Sequence, residues 1–255
     1  MLRYWRTLRH ASQLGLALDA DVSSRHLSFL ETGRARPSAE MVRRLAESLD
    51  LPLRERNALF LAAGFAPPHD QRELEAPELS SARRAIEFIL EKQEPYPAFV
   101  LSRHWDVLMR NRASARVFGW LLRGRRRDAN IMRSVFGEDA LRPLIVNWDD
   151  VACDMLQHLH SQVLHTPTDV EAAALLREIL ASPNVPARVA AVSRAPSPLL
   201  TAIYARDGTQ LRFFSTLSTF GTPHDVTLQE LRIECTFPAD DATGRFCTEL
   251  AAADA

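Results

Sequence analysis

A short stretch near the start of the chain carries polar and basic side chains that could read DNA. Leu27 and Leu30 are three residues apart, so they share one face of any helix that contains them. The side chains left on the outward face of that helix are Ser24, Arg25, Ser28 and Phe29. An arginine so placed can donate two hydrogen bonds to O6 and N7 of guanine. A phenylalanine can only pack, either on a thymine methyl group or into the protein core.

The elements that would position these side chains are two short helices joined by a tight corner. The hydrophobic spacing predicts the first helix over about 13–20 and the second over about 24–32. Ser23 is suited to cap the second helix, because its hydroxyl can accept from a free backbone N–H. Gly33 can adopt the positive φ that commonly follows a helix. Two short helices with such a turn are typical of a helix-turn-helix.

This stretch resembles the helix-turn-helix of the lambda-repressor-like regulators, the XRE family. The matching residues are Gln13, Leu16-Ala17, Val22-Ser23, Leu27-Ser28-Phe29-Leu30-Glu31, Gly33-Arg34 and Pro37-Ser38. Asp21 departs from the family, which usually has glycine there, but aspartate tolerates a left-handed backbone better than most residues. The alternative, a plain helical hairpin in an all-α core, is disfavoured by the Ser23 cap and by the residues that leave the second helix.

The resemblance implies that the second helix enters the major groove with its N-terminal residues at base edges. Gln13 and Ser23 lie at helix N-termini and suit phosphate contacts, while Arg34 and Arg36 follow the second helix. His26 fits a DNA contact and a packing role equally well. The expected partner is a double-stranded DNA operator, and the candidate contacts are Gln13, Ser23, Ser24, Arg25, His26, Ser28, Phe29, Arg34 and Arg36.

Charge and proline placement predict two domains. Residues 1–68 carry ten arginines and seven acidic residues, whereas residues 69–255 carry 21 basic and 25 acidic residues. A basic front and an acidic back are typical of a DNA-binding head with a separate body. We expect a five-helix head over 1–68, then a polar linker and connecting helix over 69–94 that could pair with its copy in a dimer. A second domain over 95–240 and a C-terminal tail over 241–255 complete the prediction.

After Pro95 and Pro97 the hydrophobic pattern changes from helical to alternating. Strands are predicted over 98–101, 106–109, 199–205, 210–220 and 228–237, with an Asp207-Gly208 hairpin turn, and helices lie between the second and third strands. This order predicts an antiparallel sheet with helices on one side. The fold class of the whole chain is therefore α+β, an all-α head followed by a mixed domain.

The second half resembles the ligand-binding domain of MmyB-like regulators, which has a PAS-like fold. The matching segments are 97–101, Trp105 to Asn111, 141–148, 211–216 and 221–234. The resemblance implies a small apolar ligand, such as a fatty acid. Candidate lining residues are the aromatic and polar side chains in or beside these segments, namely Trp105, Asn111, Phe118, Arg142, Asn147, Trp148 and Phe214. Arg142 and Asn147 are the two candidates for holding a polar head group, and a structural role for each remains the alternative.

The sequence offers no catalytic set, and we expect neither an enzyme nor a bound metal or cofactor. His158 and His160 are two apart on a predicted helix, where their side chains diverge. The three cysteines form no CxxC pair, which favours a reducing cytoplasm over a disulfide framework. We expect no signal peptide and no membrane partner. The basic run over 123–128 is interpreted as a solvated surface loop, with an auxiliary phosphate contact as the alternative.

The sequence thus predicts a DNA-binding regulator, acting as a homodimer, whose second domain senses a small apolar molecule. The rival hypothesis is a regulator whose second domain only dimerises or binds a protein. An apolar cavity above roughly 300 Å³ in the second domain would favour the sensor, since small-molecule sites have about that volume or more.

Overall fold

A computed structural model describes residues 1–182, 185 and 199–253. The chain divides into two compact units, Met1–Glu73 with Thr222–Gln229, and Leu74–Gly221 with Glu230–Ala255. The first boundary therefore lies five residues beyond the expected one at 68. The first unit also includes a segment that the sequence pattern assigns to the second domain.

The first unit contains five short helices. They are α1 (Leu2–Leu8), α2 (Gln13–Asp19), α3 (Ser24–Glu31), α4 (Ala39–Ser48) and α5 (Leu53–Ala62). Three serines, Ser12, Ser23 and Ser38, begin α2, α3 and α4, and each hydroxyl accepts from a backbone N–H in the first turn. The core between these helices includes the buried side chains Trp5, Leu16, Leu27, Leu45, Leu49 and Phe60.

The second unit is built on a five-stranded antiparallel sheet. Its strands are β1 (Ala98–Leu101), β2 (Val107–Arg110), β3 (Thr201–Arg206), β4 (Thr209–Ser218) and β5 (Arg232–Pro238), in the order β2-β1-β5-β4-β3. The hairpin between β3 and β4 turns at Asp207 and Gly208, which both have positive φ. The expected strand at 228–230 is wrong, because that part of the chain belongs to a short helix.

Helices precede, separate and follow these strands along the chain. They are α6 (Ser80–Lys92) before the sheet, α7 (Arg112–Leu121), α8 (Ile131–Phe136), α9 (Trp148–His165) and α10 (Val170–Leu180) between β2 and β3, α11 (Val226–Glu230) between β4 and β5, and α12 (Asp241–Ala252) at the end. The expected tail over 241–255 is corrected by α12. Asp240 caps this helix by accepting from the backbone N–H of Thr243, and Cys247 is buried.

The two faces of the sheet carry different side chains, since neighbouring residues of a strand point to opposite faces. Phe99 of β1 and Phe213 of β4 join one core with residues of α7, α8, α9 and α10. Phe214 points to the opposite face, where it stacks on Phe237 with ring centroids 5.4 Å apart. Within the described part of the chain, no helix has the length and apolar character needed to span a membrane.

Candidate DNA-binding surface and ligand cavity

The corner between α2 and α3 is held by two local features. Asp21 has φ 53°, the left-handed conformation expected of the residue that replaces glycine. The hydroxyl of Ser23 accepts from the backbone N–H of His26 over 3.2 Å. These features set the angle at which α3 leaves the corner.

Arg25 is exposed on the first turn of α3 and lies against Phe29 one turn later. The guanidinium carbon of Arg25 is 5.5 Å from the centroid of the Phe29 ring. A cation over an aromatic face is attracted by about 0.5–1 kcal/mol at an exposed site. The contact restricts Arg25 while its side chain remains exposed. Phe29 is half-buried, and its contact with Arg25 leaves both of its predicted roles open, packing on a thymine methyl group and packing into the core.

Gln13 ties α2 to the end of α3 through Glu31. The carboxylate of Glu31 accepts from the Gln13 amide over 2.7 Å and from the Arg6 guanidinium over 2.6 and 3.1 Å. Burial disfavours the charged form of Glu31, but the hydrogen bonds from Arg6 and Gln13 outweigh it and hold the pKa of Glu31 below its ordinary value. One of the two N–H groups of the Gln13 amide is therefore used within the protein.

The other candidates surround these residues on the first unit. Arg34 and Arg36 are exposed, and neither side chain has an ion pair with any residue that the structure describes. The remaining candidates, all on the first turn and a half of α3, are half-buried: Ser24, His26 and Ser28. The sequence interpretation missed Ser12, which caps α2 by accepting from Gly15 over 2.9 Å. A serine directly before a predicted helix was the signal for it.

The second unit contains a cavity of about 510 Å³ between β1, β2, α7 and the stretch around α8. Most of its wall is apolar, and its apolar side chains include Phe99, Val107, Met109, Phe118, Leu122 and Ile131. Two arginines, Arg110 and Arg127, also line it. Neither arginine forms an ion pair within the described part of the chain. The cavity thus combines a mostly apolar wall with two arginines and one carboxylate, that of Asp128, which pairs with Arg126 over 2.7 Å.

Of the seven candidate lining residues, only Phe118 lines this cavity. Asn111 is buried and instead caps α7: its Oδ1 accepts from the backbone N–H of Ser114 over 2.9 Å, and its amide donates to the carbonyl oxygen of Tyr96 over 2.8 Å. Trp105 is buried in the core, and its indole N–H donates to Gln162 over 3.2 Å. Both side chains therefore form hydrogen bonds within the protein, and neither lines the cavity.

The two head-group candidates are also engaged elsewhere. The Asn147 amide donates to the carbonyl oxygen of Thr201 over 2.7 Å and accepts from the backbone N–H of Ile203 over 2.9 Å, so it holds β3 in place. The guanidinium carbon of Arg142 lies 4.1 Å from the centroid of the Trp148 ring. Trp148 does point into the core, as expected, but there it packs against Phe136 rather than beside the cavity.

Phe214 was expected on the ligand side and lies on the other face of the sheet. A strand over 210–220 was predicted, but the sequence did not say which of its faces meets the helices. The loop that contains Arg127 is exposed, as the sequence predicts, but the sequence interpretation did not identify Arg127 as a residue that lines the cavity. The described residues contain no cluster of three or more His, Cys, Asp or Glu side chains that could hold a metal.

A helix-turn-helix unit joined to an α+β unit with a cavity defines a two-domain transcription regulator. A helix-turn-helix family model matches residues 2–56. The family model described as the MmyB-like transcription regulator ligand binding domain matches residues 82–250. The chain belongs to this MmyB-like family, and the expected α+β fold, a helical first unit followed by a unit with an antiparallel sheet, is confirmed.

Comparisons with individual proteins add less. No curated protein matches the chain. The chain is similar to one solved structure described as "Structure of an RNA-binding Light-Oxygen-Voltage Receptor", with 12% identity and a TM-score of 0.28. The match covers 100% of this chain and 62% of that one.

Proposed function

We propose that this protein is a transcription regulator whose second domain binds an amphipathic, fatty-acid-like anion in the 510 Å³ cavity. The observation that carries the proposal is the cavity itself. Its volume exceeds the roughly 300 Å³ at which small-molecule sites begin. An apolar cavity of this size is the feature expected of a sensor domain rather than of a module that only dimerises or binds a protein.

The two halves of the cavity wall suit the two halves of such a ligand. An acyl chain gains about 0.8 kcal/mol for each CH₂ group that it buries against apolar side chains. Arg110 and Arg127 line the same cavity, and an arginine can hold a carboxylate through two parallel hydrogen bonds. We therefore place the chain against Phe99, Phe118 and Ile131 and the carboxylate at the arginines.

For the first unit, we propose that α3 lies in the major groove and that Arg25 reads a base. Ser24, Ser28 and Phe29 face the same groove, while Gln13, Ser23, Arg34 and Arg36 contact phosphates. His26 remains a candidate for either role. The support is the exposure of Arg25 on the first turn of α3, and of Arg34 and Arg36 just after its last turn.

We further propose that the protein acts as a homodimer on two operator half-sites. The support is an exposed apolar stripe on α6, formed by Ala85, Phe88 and Ile89. Phe88 is 59% exposed and Ile89 is 36% exposed. Residues at this spacing share one helix face, so a second copy of α6 could cover them.

The experiment that tests the ligand proposal is a panel of C8 to C18 fatty acids and the matching alcohols, followed by native mass spectrometry and thermal unfolding. Gly119 lines the cavity, and a side chain added there meets only the end of Arg127, at 3.9 Å. Gly119→Leu should therefore fill the space and abolish binding. Ala174→Leu, at an exposed position of α10, is the matched control and should bind as the unchanged protein does.

A second pair of variants tests whether an arginine of the cavity binds the carboxylate. Arg127→Ala should weaken binding of the acids but not of the alcohols, whereas Arg125→Ala, an exposed arginine in the same loop, should change neither. If no acid or alcohol raises the melting temperature and Gly119→Leu has no effect on any bound species, the second domain is an interaction module instead.

A further inference from the structure

The connection between β4 and β5 contains a segment, Thr222–Gln229, that belongs to the DNA-binding unit although both strands belong to the other unit. Val226 is fully buried, and its backbone N–H donates to the carbonyl oxygen of Asp70 over 2.9 Å. The Thr227 hydroxyl donates to the carbonyl oxygen of Arg72 over 2.6 Å. The segment is therefore bonded to the last residues of the first unit.

An ion pair fixes the start of α11 in the same place. The carboxylate of Asp225 is almost fully buried and accepts from the backbone N–H of Thr227 over 2.9 Å. Its other oxygen lies 3.2 Å from the Arg72 guanidinium. A buried carboxylate is costly unless it is paired, so this arrangement holds the segment in one position.

Gln229 completes the N-terminus of α5, a helix of the DNA-binding unit. Helices leave their first backbone N–H groups without partners, and Pro52, the residue that precedes α5, has no side chain that can accept a hydrogen bond. The Oε1 atom of Gln229 accepts from the backbone N–H of Leu53 over 2.7 Å. Leu59 and Phe60 of α5 belong to the core of this unit, so the cap supports that core.

We propose that Thr222–Gln229 is a coupling segment, through which the ligand-binding domain sets the stability of α5 and the DNA affinity of the first unit. The ladder between β4 and β5 extends to the pair Ser218 and Ile233, so both ends of the connection are held by the sheet. A change in those strands displaces the segment and weakens the α5 cap. The ligand can drive this change only if it binds two states with different affinity. The dependence on ligand rests on the proposed function, whereas the dependence of α5 on the segment does not.

Hydrogen exchange of the full-length protein tests the structural half of the proposal, which is that Gln229 stabilises the N-terminus of α5. Gln229→Ala should speed exchange at the first turn of α5 by about two- to thirty-fold, the range that losing a helix cap allows. Gln229→Glu keeps an acceptor at the helix N-terminus and should restore the slow exchange. Gln210→Ala, at an exposed glutamine of β4, should leave α5 unchanged. Unchanged α5 exchange in Gln229→Ala would overturn the proposal.

The regulatory half of the proposal is that ligand binding changes DNA affinity through the coupling segment. It is tested by measuring operator affinity with and without a bound C8 to C18 fatty acid. In the unchanged protein, the acid should alter both α5 exchange and operator affinity. In Gln229→Ala, the acid should still raise the melting temperature, but operator affinity should no longer respond. If an acid binds and changes operator affinity equally in the unchanged protein and in Gln229→Ala, the proposal that Thr222–Gln229 couples the two domains is overturned. If no acid binds, the proposal of a fatty-acid ligand is rejected. Hydrogen exchange of α5 in the two Gln229 variants still shows whether Gln229 stabilises α5.

Discussion

Arg25 is the residue on which the proposed base readout most depends. Its guanidinium is exposed and held over Phe29, so it is ordered before DNA arrives. Arg25→Ala should cost about 1–3 kcal/mol on the operator and relax the preference at one base position. Arg34→Ala, at an exposed arginine outside α3, should weaken operator and random DNA alike. Titrations against both DNAs measure the difference, and an equal loss for Arg25→Ala would mean a phosphate contact.

Glu31 gives a second prediction at the residue scale, which concerns pH. Since the pKa of Glu31 is lowered in the folded state, its stabilising effect is present above the ordinary glutamate pKa and is lost as the pH falls through the folded-state pKa. Glu31→Gln should therefore destabilise the first unit by ~1.5–3 kcal/mol at pH 7 and by less at an acidic pH below the folded-state pKa of Glu31, where this carboxyl group is protonated.

Urea unfolding at the two pH values, with hydrogen exchange of α2 and α3 as the local readout, measures the effect. Glu47→Gln is the matched control, because Glu47 pairs with Arg43 at the surface, where both side chains are about half exposed. Exposed pairs contribute at most about 1 kcal/mol. A loss in Glu31→Gln that is the same at both pH values would contradict the charged network.

At the scale of elements, the junction of β1 and α7 depends on one buried amide. Asn111 bonds the start of α7 to the chain that leads into β1, through Ser114 and the carbonyl oxygen of Tyr96. Asn111→Ala leaves these buried groups without a partner and should destabilise the second unit by about 1–3 kcal/mol. Because Asn111 does not line the cavity, fatty-acid affinity of the folded protein should change little.

Thermal unfolding and native mass spectrometry separate the two effects. Phe118→Ala is the comparison variant on the same helix, since Phe118 does line the cavity and is only half-buried. It should weaken acyl-chain binding more than Asn111→Ala does. If Asn111→Ala weakens fatty-acid binding more than Phe118→Ala does, Asn111 belongs to the ligand site after all.

At the scale of the whole molecule, the stripe on α6 predicts the oligomeric state. Phe88→Glu places a charge in the proposed contact between two copies and should shift the protein from dimer to monomer in sedimentation. Operator affinity should fall with it, since dimerisation raises the effective concentration of the second head. Val170→Glu, at a valine that is 74% exposed on α10, should leave the dimer intact. A dimer that persists in Phe88→Glu would place the interface elsewhere.

The helix-turn-helix could be predicted from the residues alone, because its signals are local. Ser23 and Asp21 act within one turn of their own positions, and the spacing of Leu27 and Leu30 identifies the buried face of α3. The β1 strand was predicted with its observed bounds for the same reason, a short apolar run between prolines and polar residues. A strand that overlaps β4 was also predicted, yet Phe214, expected to line the ligand site, lies on the other face of the sheet. Alternate residues of a strand point to opposite faces of the sheet, but this alternation does not show which elements pack on each face.

The surroundings of the cavity and the location of Thr222–Gln229 follow from long-range packing, which no local pattern encodes. The cavity wall comes from β1, β2, α7 and α8, and its members meet because the sheet and helices close around them. Leu53 and Gln229 are likewise joined by a hydrogen bond across 176 positions of sequence. Residues so far apart have no shared period or local cap that could reveal the contact. Packing within the first unit brought them together, and that packing made a residue of the β4–β5 connection the cap of α5, a helix of the helix-turn-helix unit.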